Sequence, residues 1–378
     1  MKFSRSAPTL LIVATLVVIA AISLISMGIS KQMTASFEDG QFELMERIML
    51  SKLRGAEGKA SSGAEMIAAM PTVKKTFASR NREETLANLK EPFRIVNDKY
   101  GISQGQFHTP PATSFLRLHN PEKFGDDQSH FRQMVVEVNQ EKAMRRGIEV
   151  TTSGVGIFGT VPMTDEADKP VGSFEMGMEF GPLLDELKKT YEFELALFIE
   201  EKILRETAKS LSGDILNDQN RVGKFIKFYA THTDMMRALV TEEEVNVTNP
   251  AHYLKENQGV SYGVLAMPIY NYAKKQIGVV AMAKNFSATR SAEGAAVVWQ
   301  GVLAIVSFVL LVGVILVTIR GLLLTPLRKL NGHMASLAAG DTVSSMENTD
   351  GLCAEMKQLV GHYEQLRSNA QAGQGDVS

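Results

Sequence analysis

The chain has 378 residues, with 40 Lys and Arg against 42 Asp and Glu and a formal net charge of −2. This balance, without a basic stripe interleaved with aromatic residues, argues against nucleic acid as a partner. The single cysteine, Cys353, excludes an intrachain disulfide and any metal site built from several cysteines. The length is sufficient for two or three domains.

Two long stretches of the chain carry no charge: one lies between Arg5 and Lys31, the other between Glu293 and Arg320. Each exceeds the roughly 20 apolar residues with which a helix crosses a bilayer. A cleaved signal peptide is the alternative for the first stretch, but its apolar part is unusually long and no Ala-x-Ala-like site follows it. We place the two predicted membrane spans at residues 7–30 and 296–319.

Positive charges flank the two predicted spans on one side. They are Lys2 and Arg5 before the first span, and Arg320, Arg328 and Lys329 after the second. The positive-inside rule then puts both termini in the cytoplasm, with residues 1–6 as the N-terminal segment and residues 31–293 outside. We therefore expect a multi-pass protein of the bacterial inner (cytoplasmic) membrane with a periplasmic or extracellular domain.

Residues 320–370 carry two short helical seams, and residues 371–378 form a flexible tail. The seam positions are Leu327, Leu330, Met334 and Leu337 in the first helix, and Met356, Leu359, Tyr363 and Leu366 in the second. Spacings of three and four residues are typical of parallel coiled coils. Because one pair of seams cannot bury itself, a homodimer is expected.

This stretch resembles a HAMP domain, a helical signal relay. The matching residues are Pro326-Leu327, Ala339-Gly340-Asp341 and Glu355, whereas Thr342 and Lys357 depart from the HAMP pattern. An ordinary juxtamembrane coiled coil is the alternative. A HAMP domain implies a cytoplasmic signalling output, in a domain or protein that this chain does not contain.

From Lys31 to about Met70 the sequence predicts one long stalk helix that packs on a partner. Its apolar residues recur every three or four positions: Phe42, Met45, Met49, Leu53, Ala56, Ala60, Ala64 and Ile67. Two α+β lobes follow, at about 71–185 and 190–290. Predicted helices cover 83–100, 126–146 and 217–239, and predicted strands cover 148–150, 155–162, 171–180, 193–199, 260–270 and 276–284.

The segment Phe107–Leu118, continuing to Asp127, resembles the first lobe of the double Cache sensor family. The resemblance is strongest to the branch found in methyl-accepting chemotaxis proteins and some sensor kinases. It implies two PAS-like α+β lobes, with a small-molecule pocket in the membrane-distal lobe. The expected fold class is thus α+β, in a two-span membrane protein with a stalk helix, two Cache lobes outside and a HAMP coiled coil inside.

Arg117 is the leading candidate for a ligand contact, because a buried guanidinium needs a partner. That partner is either an internal carboxylate, from Glu122, Asp126 or Asp127, or a ligand such as an organic anion. Further polar candidates are His108, Ser114, His119 and Arg132, and candidate pocket walls are Tyr100, Phe107 and Phe115.

No motif in the sequence indicates catalysis, a cofactor or a metal. The Gly-x-Gly-x-x-Gly pattern at residues 154–159 runs into Pro162 instead of opening the helix that a dinucleotide site requires. Prolines interrupt any single helix that would align His108, His119 and His130. The sequence therefore predicts a receptor and not an enzyme, most simply for chemotaxis. The sensor part of a histidine kinase or diguanylate cyclase system and a non-signalling membrane scaffold are the alternatives.

Overall fold

The computed structural model describes residues 3–341, 343–346 and 351–375. Lys2, Thr342 and the last residues of the tail, on which parts of the sequence predictions rest, lie outside these ranges. The chain divides into two compact units. One is Ala35–Arg290, and the other consists of Met1–Thr34 and Ser291–Ser378.

The helices are α1 Phe3–Ala68, α2 Pro71–Ala78, α3 Arg82–Tyr100, α4 Gln133–Glu141, α5 Phe180–Tyr191, α6 Glu201–Thr207, α7 Thr233–Leu239, α8 Glu242–Val245, α9 Ser287–Val317, α10 Thr325–Ala338 and α11 Ala354–Gly375. The strands are β1 Gln104–Thr109, β2 Thr113–Arg117, β3 Arg145–Thr151, β4 Gly154–Thr164, β5 Pro170–Glu179, β6 Glu194–Glu200, β7 Arg221–Val222, β8 Phe225–Ala230, β9 Ala251–Asn257, β10 Val260–Tyr270 and β11 Gln276–Asn285. The predicted α+β fold class with a long stalk helix is confirmed.

The predicted stalk seam lies on α1, and none of its eight apolar residues is more than 8% exposed. They pack against the lobes of their own chain, so the expectation that this seam packs on a partner is wrong for this face of the helix. The approach is closest at Gly159 of β4, where a Cβ would lie 2.3 Å from the backbone nitrogen of Ser61. Only glycine permits that distance.

The first lobe is a five-stranded antiparallel sheet in the order β2-β1-β5-β4-β3. One face packs on α1, α2 and α3 through residues such as Phe77, Phe107 and Phe174. The predicted meander is present as β3, β4 and β5. The helix predicted at 126–146 is reduced to α4, because residues 125–128 instead hydrogen-bond along β2 and residues from Arg145 onward form β3.

The second lobe is a six-stranded sheet in the order β7-β8-β6-β11-β10-β9. The helix predicted at 217–239 is wrong for most of its length, since β7 and β8 lie within 221–230. Only α7 and a single 3-10 turn at Asp218–Asn220 are helical. The β8 sequence Phe-Ile-Lys-Phe-Tyr is aromatic and β-branched, as strands prefer. Gly223, with φ of +59°, forms the turn before it.

The two lobes meet at the turn between β10 and β11. Tyr272 in this turn donates its backbone N–H to the carbonyl of Ile148 at 3.1 Å and its hydroxyl to Glu137 Oε1 at 2.9 Å. Gly147 lies so close that a Cβ there would be 2.9 Å from the Tyr272 Cα. The strand that leads into α9 is therefore joined to the first lobe through its own hairpin.

In the other unit, α9 continues through a π-helical stretch, Thr318–Leu324, into α10. In the part of the chain that the structure describes, two helices are long and apolar enough to cross a membrane. They lie within Pro8–Ala68 and Ser287–Ala338, with mean hydropathies of 2.8 and 3.1 in their most apolar windows. The predicted span at 7–30 lies within α1, and the one at 296–319 lies within the second range. Helices α10 and α11 pack together through an apolar cluster of Leu330, Met346, Met356, Val360 and Tyr363.

Candidate ligand-binding site in the first lobe

Polar side chains line the face of the first sheet that points away from α1. On β1, Gln106 and His108 point to this face, while Phe107 points to the apolar core. On β5, Ser173 and Glu175 alternate in the same way with buried core residues. Alternation along neighbouring strands thus gives the sheet one apolar face and one polar face.

Three of these side chains lie side by side. His108 is paired with Ser114 on β2 and with Ser173 on β5, so the three form a row across three strands, here called the polar row. None is more than 1% exposed. Both His108 ring nitrogens and both serine hydroxyls have no hydrogen-bond partner within residues 3–341, 343–346 and 351–375.

Unpartnered groups of this kind are rare in a folded protein, because burying a polar group without a hydrogen bond costs free energy. Two further atoms nearby share the property among the described residues: Gln106 Nε2 on β1 and Asn139 Oδ1 on α4. Together these atoms offer donors and acceptors toward the inside of the lobe. The arrangement is suited to a small polar molecule that would complete their hydrogen bonds.

Next to the polar row lies a buried ion cluster of Arg132, Glu149 and Glu175, with exposures of 2%, 5% and 1%. Arg132 donates its Nε–H to Glu149 Oε2 at 2.8 Å and one Nη–H to Glu175 Oε1 at 2.9 Å, and its other Nη bonds Glu175 Oε2. The guanidinium also lies 4.9 Å from the centre of the Phe158 ring. Glu175 joins the two groups of residues, since its Oε1 lies 3.8 Å from His108 Nε2.

A covering segment, residues 118–132, lies between β2 and α4. Arg117 holds it by donating to both carboxylate oxygens of Asp126, at 2.8 and 2.7 Å, and to the backbone carbonyl of Lys123 at 2.6 Å. Gln128 donates to the same carboxylate at 2.9 Å. The partner of Arg117 is therefore an internal carboxylate and not a ligand, and Arg117 fixes the covering segment to the end of β2.

Burial and neighbouring charges set the protonation of this face. Burial, together with Arg132 and Arg117, lowers the pKa of His108 from 6.5 to about 4, which makes the ring neutral. Burial raises the pKa of Glu149, and the nearby Glu175 adds to this effect. Burial alone would raise the pKa of Glu175 too, but the Arg132 guanidinium lowers it below its usual value. His108 thus presents one donor and one acceptor nitrogen.

The structure brings four of the eight predicted residues to this face: Arg117, His108, Ser114 and Arg132. The others lie elsewhere. His119 is at the exposed edge, where its Nδ1 accepts the Gly105 N–H at 3.3 Å, and Tyr100 is 53% exposed at the end of α3. Phe107 and Phe115 pack around Phe77 in the apolar core. None of the three predicted pocket walls, Tyr100, Phe107 and Phe115, therefore lines this face.

Sequence reasoning missed more than half of the polar set. The missed residues are Gln106, Gln128, Asn139, Glu149, Thr160, Ser173 and Glu175. A signal for Ser173 and Glu175 was available, because polar residues alternate there inside an otherwise apolar strand. Asp126, one of the three carboxylates proposed as a partner for Arg117, does pair with it, and α4 begins only after Arg132.

The model of the family dCache_3, described as the double sensory domain of two-component sensor kinase, matches residues 53–289. No curated protein matches the chain. An extracellular ligand binding receptor from Desulfohalobium retbaense is 11% identical, with a TM-score of 0.35, over 64% of this chain and 38% of that one. The chain thus spans little more than a third of that receptor's solved chain.

Two chemoreceptor domains also match. The ligand-binding domain of Campylobacter jejuni chemoreceptor Tlp3, solved with L-valine, is 9% identical over 69% of this chain and 97% of that one, with a TM-score of 0.42. The corresponding domain of the Pseudomonas aeruginosa amino acid chemoreceptor PctC, solved with GABA, is 14% identical over 66% and 98%, with a TM-score of 0.37. Since the family model covers more than half of the chain, this protein belongs to the double Cache family dCache_3 of sensory domains.

Proposed function

We propose that the protein is a two-span receptor of the bacterial inner membrane that binds a small polar solute at the polar row and relays the event to a chemotaxis output in the cytoplasm. A sensory role follows from its family. One observation carries the choice of site: His108, Ser114 and Ser173 are in register, fully buried, and without partners in the described part of the chain.

The helical pair α10 and α11 supports a HAMP-type relay in a homodimer. Half of the predicted seam packs within the pair: Leu330, Met356 and Tyr363 are buried, and Leu337 is partly buried against them. The other half remains exposed: Leu327 by 42%, Met334 by 44%, Leu359 by 45% and Leu366 by 54%. A second copy of the same pair would cover this stripe in a four-helix bundle.

The family description names sensor kinases, so a kinase or cyclase output is the second candidate. The two readings share the sensor and differ only in what the relay drives. A structural scaffold is less well supported, because buried polar atoms without partners destabilise a domain that has no ligand to bind.

Thermal unfolding of the full chain in lipid nanodiscs tests the proposed site. It is followed by circular dichroism against a panel of organic acids, amines, amino acids and sugars. We expect at least one solute to raise the unfolding temperature by several degrees, as mass action requires for a ligand that binds the folded state.

Two variants and a control locate the site in the same assay. His108→Ala and Ser173→Ala should abolish the effect of the solute, and His232→Ala, which changes an exposed histidine of the second lobe, should retain it. Stabilisation that survives both first-lobe changes would show that the polar row is not the site.

A further inference from the structure

The positive and negative charges of the two ionic networks on the polar face do not cancel. They contain two guanidinium groups, Arg117 and Arg132, and three carboxylates, Asp126, Glu149 and Glu175. Arg117 and Asp126 neutralise each other through two short hydrogen bonds. One negative charge is therefore left in the buried ion cluster, where a single guanidinium faces two carboxylates.

This surplus cannot remain uncompensated. Every member of the cluster is at most 5% exposed, and an isolated charge at that depth costs several kcal/mol. Either a proton on one carboxylate or a cation from solution can cancel it. In the unliganded protein the proton is the available choice. Glu149 is the carboxylate that takes it, because Arg132 donates only one hydrogen bond to Glu149 but two to Glu175, and burial raises the pKa of Glu149.

The polar row lies directly beside this surplus negative charge. Ser173 and Glu175 are two residues apart on the same face of β5, and Glu175 Oε1 lies 3.8 Å from His108 Nε2. A molecule bonded to the row therefore has a carboxylate oxygen within reach. An ammonium group donates three hydrogen bonds, and the serine hydroxyl, the neutral imidazole nitrogen and the Glu175 oxygen are acceptors for them.

An anionic head group does not fit this arrangement. Both guanidinium groups are engaged by carboxylates of the chain. An anion would raise the surplus from one negative charge to two. The expectation of an organic anion held by Arg117 is thus replaced.

We infer that the solute taken by the polar row carries a protonated amine, and that its binding releases the proton held by the buried ion cluster. This inference rests on the proposed function and specifies its ligand class. The balance is simple: the amine arrives with its positive charge, the protonated carboxyl of Glu149 becomes a carboxylate, and the proton leaves to solvent.

Other titratable groups face Glu149, and their contribution has to be separated. Within the lobe, Arg132 hydrogen-bonds Glu149, and the charge of Glu175 acts on it. Across the cleft of about 630 Å³ between the lobes, it shares the lining with His130, Glu137, Glu206, Tyr272 and Lys275. Glu206 is exposed on the far side of this cleft, so Glu206→Gln is a matched control for Glu149→Gln.

The first arm of the test needs no ligand. Infrared difference spectra of the full chain in nanodiscs, wild type minus Glu149→Gln, are recorded at neutral pH. We expect the carbonyl stretch of a protonated carboxyl in the wild type, absent from Glu149→Gln and retained in Glu206→Gln. A wild type without that band overturns the inference, because Glu149 would then be ionised already.

The second arm uses three probes of matched shape: alaninamide, a cation at mildly acidic pH, lactamide, which is neutral, and lactate, an anion. Calorimetry in two buffers of different ionisation enthalpy gives the affinity and the protons released. We expect alaninamide to bind at least about tenfold more tightly than lactamide, with about one proton released, and lactate not to bind. Glu149→Gln should abolish the proton release.

Failure of the inference differs from failure of the proposed site. Binding of lactate or lactamide in preference to alaninamide, abolished by His108→Ala, overturns the amine assignment and leaves the site in place. Binding of alaninamide that His108→Ala and Ser173→Ala do not weaken overturns both. The absence of any alaninamide binding counts against the amine assignment.

Discussion

Replacing Arg132 by methionine should be the most destabilising single change on the polar face. Methionine keeps most of the volume and leaves Glu149 and Glu175, both buried, without their shared cation. The three hydrogen bonds that the Arg132 side chain donates in this cluster are buried and are lost with it.

The magnitude follows from the cost of stranding a buried charge. Removing one partner of a buried ion pair costs about 3–5 kcal/mol. For a domain of roughly 250 residues, each kcal/mol lowers the unfolding temperature by about 2–4 °C, so the expected loss is roughly 6–20 °C. The exposed pair of Arg237 and Asp234, 3.9 Å apart, provides the control, and Arg237→Met should cost under about 0.5 kcal/mol.

Circular dichroism of the full chain in nanodiscs gives both unfolding temperatures. A triple variant, in which Arg132→Met is combined with Glu149→Gln and Glu175→Gln, should recover most of the loss because no charge is then buried. If the Arg132→Met protein unfolded at the same temperature as the Arg237→Met protein, this prediction would be refuted. A triple variant no more stable than the single one would refute it too.

Three further predictions concern stability. Because the pKa of His108 falls from 6.5 in the unfolded chain to about 4 in the fold, the unfolded state alone binds this proton between those values. Stability should therefore decrease by about 3 kcal/mol as the pH falls from 6.5 to 4, and His108→Gln should remove this part of the pH dependence. Gly159→Ala should cost about 1–3 kcal/mol by pushing β4 off α1. Tyr272→Phe should cost about 1 kcal/mol through loss of the hydroxyl bond to Glu137.

Each of these has its own control in unfolding experiments. Gly55→Ala, at a helical glycine with open space around it, should be neutral or stabilising, and an equal loss at both glycines would remove the close-approach argument. An unchanged pH profile in His108→Gln would mean that another group causes it. A Tyr272→Phe protein with wild-type stability would show that solvent replaces the Glu137 bond.

The sequence predicted the elements whose patterns are long and regular. The α1 seam repeats over some 25 residues, and eight out of eight of its apolar positions are buried. The meander of β3, β4 and β5 carries strand alternation and turn residues of its own. Family membership was predictable for a different reason, since the segment 107–127 has a specific sequence.

The polar face was less predictable because it is assembled from distant segments. Arg132 meets Glu175 across 43 residues and Glu149 across 17, and no local pattern records either contact. The sequence also predicted a helix at 126–146, where the structure has the end of the covering segment, whose main-chain hydrogen bonds go to β2. Arg117 was identified as needing a carboxylate, but only the fold shows that Asp126 supplies it.

Hydrogen exchange with mass spectrometry tests the central claim most directly. The full chain in nanodiscs is compared with and without the solute of the panel that stabilises it most. We expect slower exchange in β1 and β5, which carry His108 and Ser173 of the polar row, and in the covering segment 118–132, with β9 of the second lobe unchanged. Protection confined to the second lobe, with β1 and β5 unaffected, would contradict it.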